Sequence, residues 1–184
     1  MKKLLFLFAL VLTTTLSAQA QVGVGLRVGA NYSGFRGDDS GDADRIFGAH
    51  AGLTANIPVS ADNFFSIQPE LLFSMKGAEG VGEDLRLYYI DIPVLARVNT
   101  GLLYFEAGPQ LGINVGDNQD LDGLDVDYKT LGLGYAAGIG VGTPLGISVG
   151  VRYNSDFSKL FDEGNAKIYN DVFMLTLGYT FGSR

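Results

Sequence analysis

Cysteine and tryptophan are absent from these 184 residues, and histidine occurs once, at His50. The missing thiols exclude a disulfide framework and any thiolate metal site. Proline is scarce, at five residues, while glycine reaches 26 without a Gly-X-Y period, which excludes a collagen-like chain. Basic residues are outnumbered 13 to 20, for a formal net charge of −7. The basic stripe that a nucleic-acid partner requires is therefore lacking. Long apolar runs are lacking too. The stretch Leu4 to Leu12 is too short for a helix across a bilayer, which takes about 20 residues. Any membrane insertion is then by strands.

That apolar stretch follows Lys2 and Lys3 and precedes Ser17-Ala18-Gln19-Ala20. A positive start, a short apolar core and a small-x-small end predict a signal peptide over residues 1–20, cut after Ala20. Residues 21–184 are then one domain.

What the chain has is alternation with period 2. Val22, Val24, Leu26, Val28, Ala30 and Tyr32 share one face of a strand, against Gly23, Gly25, Arg27, Gly29 and Asn31 on the other. The same division recurs over 47–57, 65–74, 88–97, 103–114, 131–141, 147–154 and 173–181. Segments of this length suit tilted transmembrane strands. The connections alternate: short at Pro58–Asn63, Val98–Gly101 and Thr143–Gly146, long and polar at Ser33–Arg45, Lys76–Asp84, Val115–Tyr128 and Ser155–Ile168. Short turns on one side and long loops on the other are the asymmetry of an outer-membrane barrel.

A soluble lipocalin-type barrel also has one apolar and one polar face. Volume separates the two. About forty apolar side chains exceed what an eight-stranded interior can hold, so they face lipid, and the glycine-rich face points inward. The predicted fold is all-β, an eight-stranded antiparallel up-and-down transmembrane barrel. Tyr32, Phe47, Tyr88 and Tyr153 near the long loops, and Phe65, Phe105, Tyr179 and Phe181 near the short turns, form two candidate aromatic girdles. Pro69, Pro93 and Pro109 lie inside strands, where local bulges or bends are expected because proline cannot donate to the ladder.

The inward face collects Arg27, Arg97 and Arg152 against Glu70, Asp91 and Glu106. Charges of both signs in a narrow lumen predict mutual pairing and a polar plug; the other reading is a proton or ion path. His50 is lumen-facing and invites a second function class, a lipid-modifying enzyme with His50 as general base, but no serine nucleophile and orienting acid can be placed beside it. In the third long loop, Asn118-x-Asp120-x-Asp122-Gly123 matches the first half of a calcium loop, yet Lys129 stands where a bidentate Glu belongs. Asp125 and Asp127 could compensate; a solvated acidic rim is the plainer reading, with more aspartates over residues 38–44. The Gly-x-Gly runs lie within strands at period 2, so they are not nucleotide loops. No cofactor is implied.

Several segments resemble the PorT-like outer-membrane β-barrel family. They are Gly25-Leu26-Arg27-Val28-Gly29-Ala30-Asn31-Tyr32-Ser33, Gln68-Pro69-Glu70-Leu71-Leu72-Phe73-Ser74-Met75-Lys76-Gly77 and Tyr89-Ile90-Asp91-Ile92-Pro93-Val94-Leu95. Ala107-Gly108-Pro109, Val151-Arg152-Tyr153 and Leu177-Gly178-Tyr179-Thr180-Phe181 continue the match in order. The resemblance implies an outer-membrane location and no single activity, because fold does not give function. It also implies that Leu177, Tyr179 and Phe181 serve as an assembly signal for the barrel-assembly machinery. The leading expectation is a structural or interaction role through extracellular loops, with outer-membrane lipid around the barrel and a surface or periplasmic protein as partner; the alternatives are the His50 enzyme and a narrow channel.

Overall fold

The structure is a computed structural model that describes residues 22–37, 44–79, 85–117, 131–157 and 169–181. Eight strands follow one another: β1 (Gly23–Arg36), β2 (Ile46–Pro58), β3 (Phe65–Ala78), β4 (Leu85–Thr100), β5 (Leu103–Asp117), β6 (Leu131–Gly142), β7 (Ile147–Asp156) and β8 (Tyr169–Thr180). Each pairs antiparallel with the next, and β1 closes on β8, so the sheet is a barrel without edges. The signal-peptide segment and the acidic segments 38–43 and 118–130 lie outside the described residues.

Facing follows the alternation. Val24, Leu26, Val28, Leu53, Leu71, Leu133, Val151 and Leu177 are all exposed, while Arg27, Glu70, Leu72, Leu95, Glu106 and Thr176 are buried. The apolar band wraps the outside of the barrel, a far larger apolar surface than a soluble monomer exposes. Toward the long loops it ends in a row of rings. Phe47 meets Tyr32 at 5.0 Å, Phe173 meets Tyr153 at 5.0 Å, and Tyr135 joins Tyr153 at 6.3 Å. Phe73 and Tyr88 stack at 6.0 Å on β3 and β4. Tyr32 and Phe173 are register partners, which joins the row across β1 and β8.

The prolines act differently from the expectation of bulges. Ladder partners are missing at Pro69 toward β2, at Pro93 toward β3 and at Pro109 toward β4, yet register is the same on either side of each gap. Each proline omits its donation to one neighbour, and the flanking pairs hold the strands in step. The register shift in β4–β5 lies elsewhere: Tyr88 pairs with Gly116 and Tyr89 with Asn114, leaving Val115 as the extra residue of a bulge.

The strands also run further than the alternation predicts. Ser33–Arg36, Lys76–Ala78, Leu85–Leu87, Val115–Asp117, Ser155–Asp156 and Tyr169–Val172 are strand rather than loop or linker. Beyond the ring row the faces exchange character on β1, on β4 and at the start of β2, while Lys76, Asp156 and Asn170 stay inward on β3, β7 and β8. Phe35, Leu85 and Leu87 gather inside with Tyr89, and Ile46 is buried, whereas Arg36, Arg45 and Arg86 stand outward. Once a strand leaves hydrocarbon, an inward apolar residue is favoured again, and the period-2 pattern inverts its polarity.

The short turns are made by residues suited to left-handed backbone. Gly101 (φ 86°) opens the two-residue turn between β4 and β5, and Asn63 (φ 57°) closes the turn before β3. There Asp62 accepts the Phe64 amide at 3.1 Å. Hydrogen bonds from the Ser60 hydroxyl and the Phe64 amide hold its carboxyl below the usual range.

Candidate functional site

The lumen is the chemically dense part of the molecule, and its side chains lie in tiers. At the short-turn end, the Arg97 guanidinium stacks on the Tyr104 ring, 3.5 Å from its centroid. Arg97 donates to Gln68 Oε1 at 2.9 Å and to Asn99 Oδ1 at 3.1 Å. Tyr104 fits because the adjoining wall, at Gly140 of β6 and Gly150 of β7, is glycine. A Cβ built on Gly140 or Gly150 would run into the end of the Tyr104 ring. Gly150→Ala should therefore cost about 1–3 kcal/mol by overpacking, and Tyr104→Leu in the same chain should recover much of it. Urea unfolding of the barrel in vesicles would show both effects.

The next tier is the charge network. Arg152, from β7, holds Glu70 of β3 through two bonds, at 2.7 and 3.0 Å, and Glu106 of β5 at 2.9 and 2.5 Å. Arg27, from β1, places its Nε 2.9 Å from Glu70 and its Nη2 3.7 Å from Glu106. Gln68 donates a further bond to Glu70 at 2.7 Å. Arg97 approaches Glu106 only at 3.9 Å and is the least buried of the three arginines. Guanidinium forks suit this bridging, since each presents five donors in a plane. Four residues from four strands are thus tied across the barrel axis.

Asp91, which the inward-face pattern groups with the arginines, stands apart from them. Its ion pair is with Lys76 at 2.8 Å, and Gln110 donates to the same oxygen at 3.3 Å. Lys76 Nζ also lies 4.6 Å from the Tyr89 ring centroid. Asn170 donates to Tyr89 Oη at 3.1 Å and reaches Asp156 at 3.4 Å. Alternation followed only as far as Ser74 leaves Lys76 in a loop and hides this second, outer tier. Continuing the alternation from Leu72 and Ser74 would have placed it inward.

His50 sits between the tiers. Asn31 commits its amide nitrogen to the carbonyls of Ala49 and Met75 at 3.2 and 3.0 Å, so its Oδ1 is turned to His50 Nδ1 at 2.7 Å. That oxygen can only accept, so Nδ1 carries the proton. Nε2 then accepts from the Thr176 hydroxyl at 3.0 Å. Both nitrogens are engaged, the basic one by a hydroxyl, and the orienting partner is an amide rather than a carboxylate. Met174 and Val172 pack nearby on β8 with Leu72. Leu177 and Tyr179 face outward on β8, and Phe181 is exposed just beyond it. The calcium-loop residues Asn118 to Gly123 fall outside the described residues; among those described, no group of His, Asp and Glu is arranged to hold a metal.

A family model of the outer membrane protein beta-barrel domain matches residues 4–181. No curated protein matches the chain. Among solved structures, Neisserial surface protein A superposes with a TM-score of 0.61 at 15% identity, covering 88% of this chain and 99% of that one. Ail, the attachment invasion locus protein of Yersinia pestis, in complex with the heparin analogue sucrose octasulfate, superposes at 0.53, also at 15% identity, covering 88% and 99%. At such identity these two establish the fold alone. Closed barrel, lipid-facing apolar band and family match agree: this chain belongs to the outer membrane protein β-barrel domain family and resides in a bacterial outer membrane.

Proposed function

We propose that the protein is a small non-enzymatic barrel with a plugged polar lumen, acting structurally or as an interaction module through its extracellular loops. The observation that carries this reading is the bridging of β1, β3, β5 and β7 across the axis by Arg27, Glu70, Glu106 and Arg152, all buried. Eight strands leave room for side chains and little else. Breaking such a network to admit an ion would strand buried charges, at several kcal/mol each. His50, 2% exposed among the lumen side chains, is closed off from a substrate, which supports the non-enzymatic side of the reading.

Within the family, the segments around Gln68–Gly77 and Tyr89–Leu95 support a PorT-like assignment. Export by residues 1–20, and insertion by assembly machinery that reads Leu177, Tyr179 and Phe181, complete it. The acidic loop sequences over 38–44 and 117–127 would repel a sulfated polyanion of the kind bound by Ail, and they favour a cationic protein surface as partner.

Planar-bilayer recording of the mature chain tests the plug. The expected result is a membrane without steady conductance; an ion-selective, steady current would replace the plugged barrel by a channel.

A further inference from the structure

The short-turn end of the barrel is nearly free of charge. Its three turns, residues 59–64, 101–102 and 143–146, hold one charged side chain, Asp62. At the opposite end stand Arg36, Asp44, Arg45, Glu79 and Arg86. Each short turn instead exposes a large apolar residue: Val59 is 61% exposed, Leu102 64% and Leu145 76%, the highest value for any large apolar residue described. These residues continue the lipid-facing band. Leu102 adjoins Leu103 and Phe105 of β5, and Leu145 precedes Ile147 and Val149 of β7, all four exposed on the outer face. The polar groups beside them fold back on the backbone of the turns. The Thr100 hydroxyl donates to the Leu103 carbonyl and the Thr143 hydroxyl to that of Ile147, both at 3.2 Å. Asn99 donates to the Asn63 carbonyl at 2.9 Å, and Ser60 Oγ accepts from the Phe65 amide at 2.8 Å. Internal pairing of this kind is what a water-poor surrounding demands.

Height argues the same way. The tyrosines Tyr32, Tyr88, Tyr135 and Tyr153 mark the other edge of the band at headgroup level. From that row, Phe173 to Phe181 covers about 20 Å along the membrane normal, whereas the apolar band of such barrels is about 25 Å tall. About 5 Å of the band is left beyond Phe181. Leu145 is level with Phe181 in the β7–β8 register, because Ile147 pairs with Tyr179. The turns therefore start inside the band and end where hydrocarbon gives way to headgroups. We propose that Val59, Leu102 and Leu145 insert into the boundary between acyl chains and headgroups of the leaflet on the short-turn side, the periplasmic one. The lipid that suits this end is a zwitterionic phospholipid, which the lone Asp62 does not repel.

The chain has no tryptophan, so a single introduced one reports on its own surroundings. The full mature chain carrying Leu102→Trp or Leu145→Trp is folded into phosphatidylcholine vesicles with and without bromine on the upper part of the acyl chains. Leu177→Trp serves as the lipid reference and Glu79→Trp, at an exposed position of the other end, as the water reference. Both turn tryptophans should lose most of their emission in brominated lipid, as Leu177→Trp does, and little of it to acrylamide, to which Glu79→Trp loses most. Tryptophan itself favours interfaces, so Leu102→Asn/Leu145→Asn in the otherwise native chain supplies a second readout. Its urea midpoint in the same vesicles should fall, whereas exposed turn residues in water tolerate such a change. Turn tryptophans quenched by acrylamide and spared by brominated lipid, or an unchanged midpoint in the asparagine variant, overturn the proposal. Shielding from acrylamide that grows with protein density in the vesicles also overturns it, in favour of contact with a second copy of the chain.

Discussion

Replacing Glu70 with alanine is expected to destabilise the barrel by about 3–5 kcal/mol. Glu70 is the counter-ion shared by Arg27 and Arg152, at 2.9 Å and 2.7 Å, and both guanidinia are buried. Its removal leaves Arg152 with Glu106 alone and Arg27 with a single partner at 3.7 Å. The wild-type network need not add net stability over a well-packed apolar core; the cost arises because a buried charge loses its partner. Glu70→Ala/Arg152→Ala should therefore cost less than the sum of the two single changes. With no tryptophan in the chain, urea unfolding is followed by far-UV circular dichroism and by mobility of the unboiled band. Strictly additive costs would show that the two residues do not act as a unit.

The membrane-spanning part of this fold was legible because lipid and lumen make opposite demands on adjacent residues. On β8 the sequence Phe173, Met174, Leu175, Thr176, Leu177 alternates in exposure as it does in character. Legibility ended where the solvent changed. Above the ring row, Phe35 and Leu87 turn inward and Arg36 and Arg86 outward, so segments that looked like polar loops continue the strands. The lumen was readable residue by residue, since parity places Arg27, Glu70, Glu106 and Arg152 inward. Partner choice was not, because it depends on axial height. Asp91 and Glu70 both face in, but Asp91 is register partner to Leu72, two positions nearer the long loops than Glu70, and there it meets Lys76. Nor does pattern alone distinguish a proline at a bulge from one that omits a donation with the register kept, as Pro69, Pro93 and Pro109 do.

Leu177→Arg and Thr176→Arg should both destabilise, and the bilayer should tell them apart. Leu177 is 52% exposed, register partner to Val28 on β1 and Val149 on β7, in the middle of the apolar band. Between Phe173 and Phe181 the strand rises about 26 Å, or about 20 Å along the membrane normal at the usual tilt, so Leu177 lies near mid-hydrocarbon. Arginine there should cost about 2–4 kcal/mol, and the cost should shrink in thinner bilayers, where the side chain reaches a headgroup by snorkelling. Thr176 points the other way, with its hydroxyl on His50 Nε2 and Gly29 and Gly150 as register partners. An arginine in that position meets His50 and the buried side chains around it, so its cost comes from overpacking and an unmatched charge. That cost should be the same in thick and thin bilayers. Folding into vesicles of short- and long-chain phosphatidylcholine, read by urea midpoint, separates the two. Equal thickness dependence at both positions would reverse the inward and outward assignment of β8.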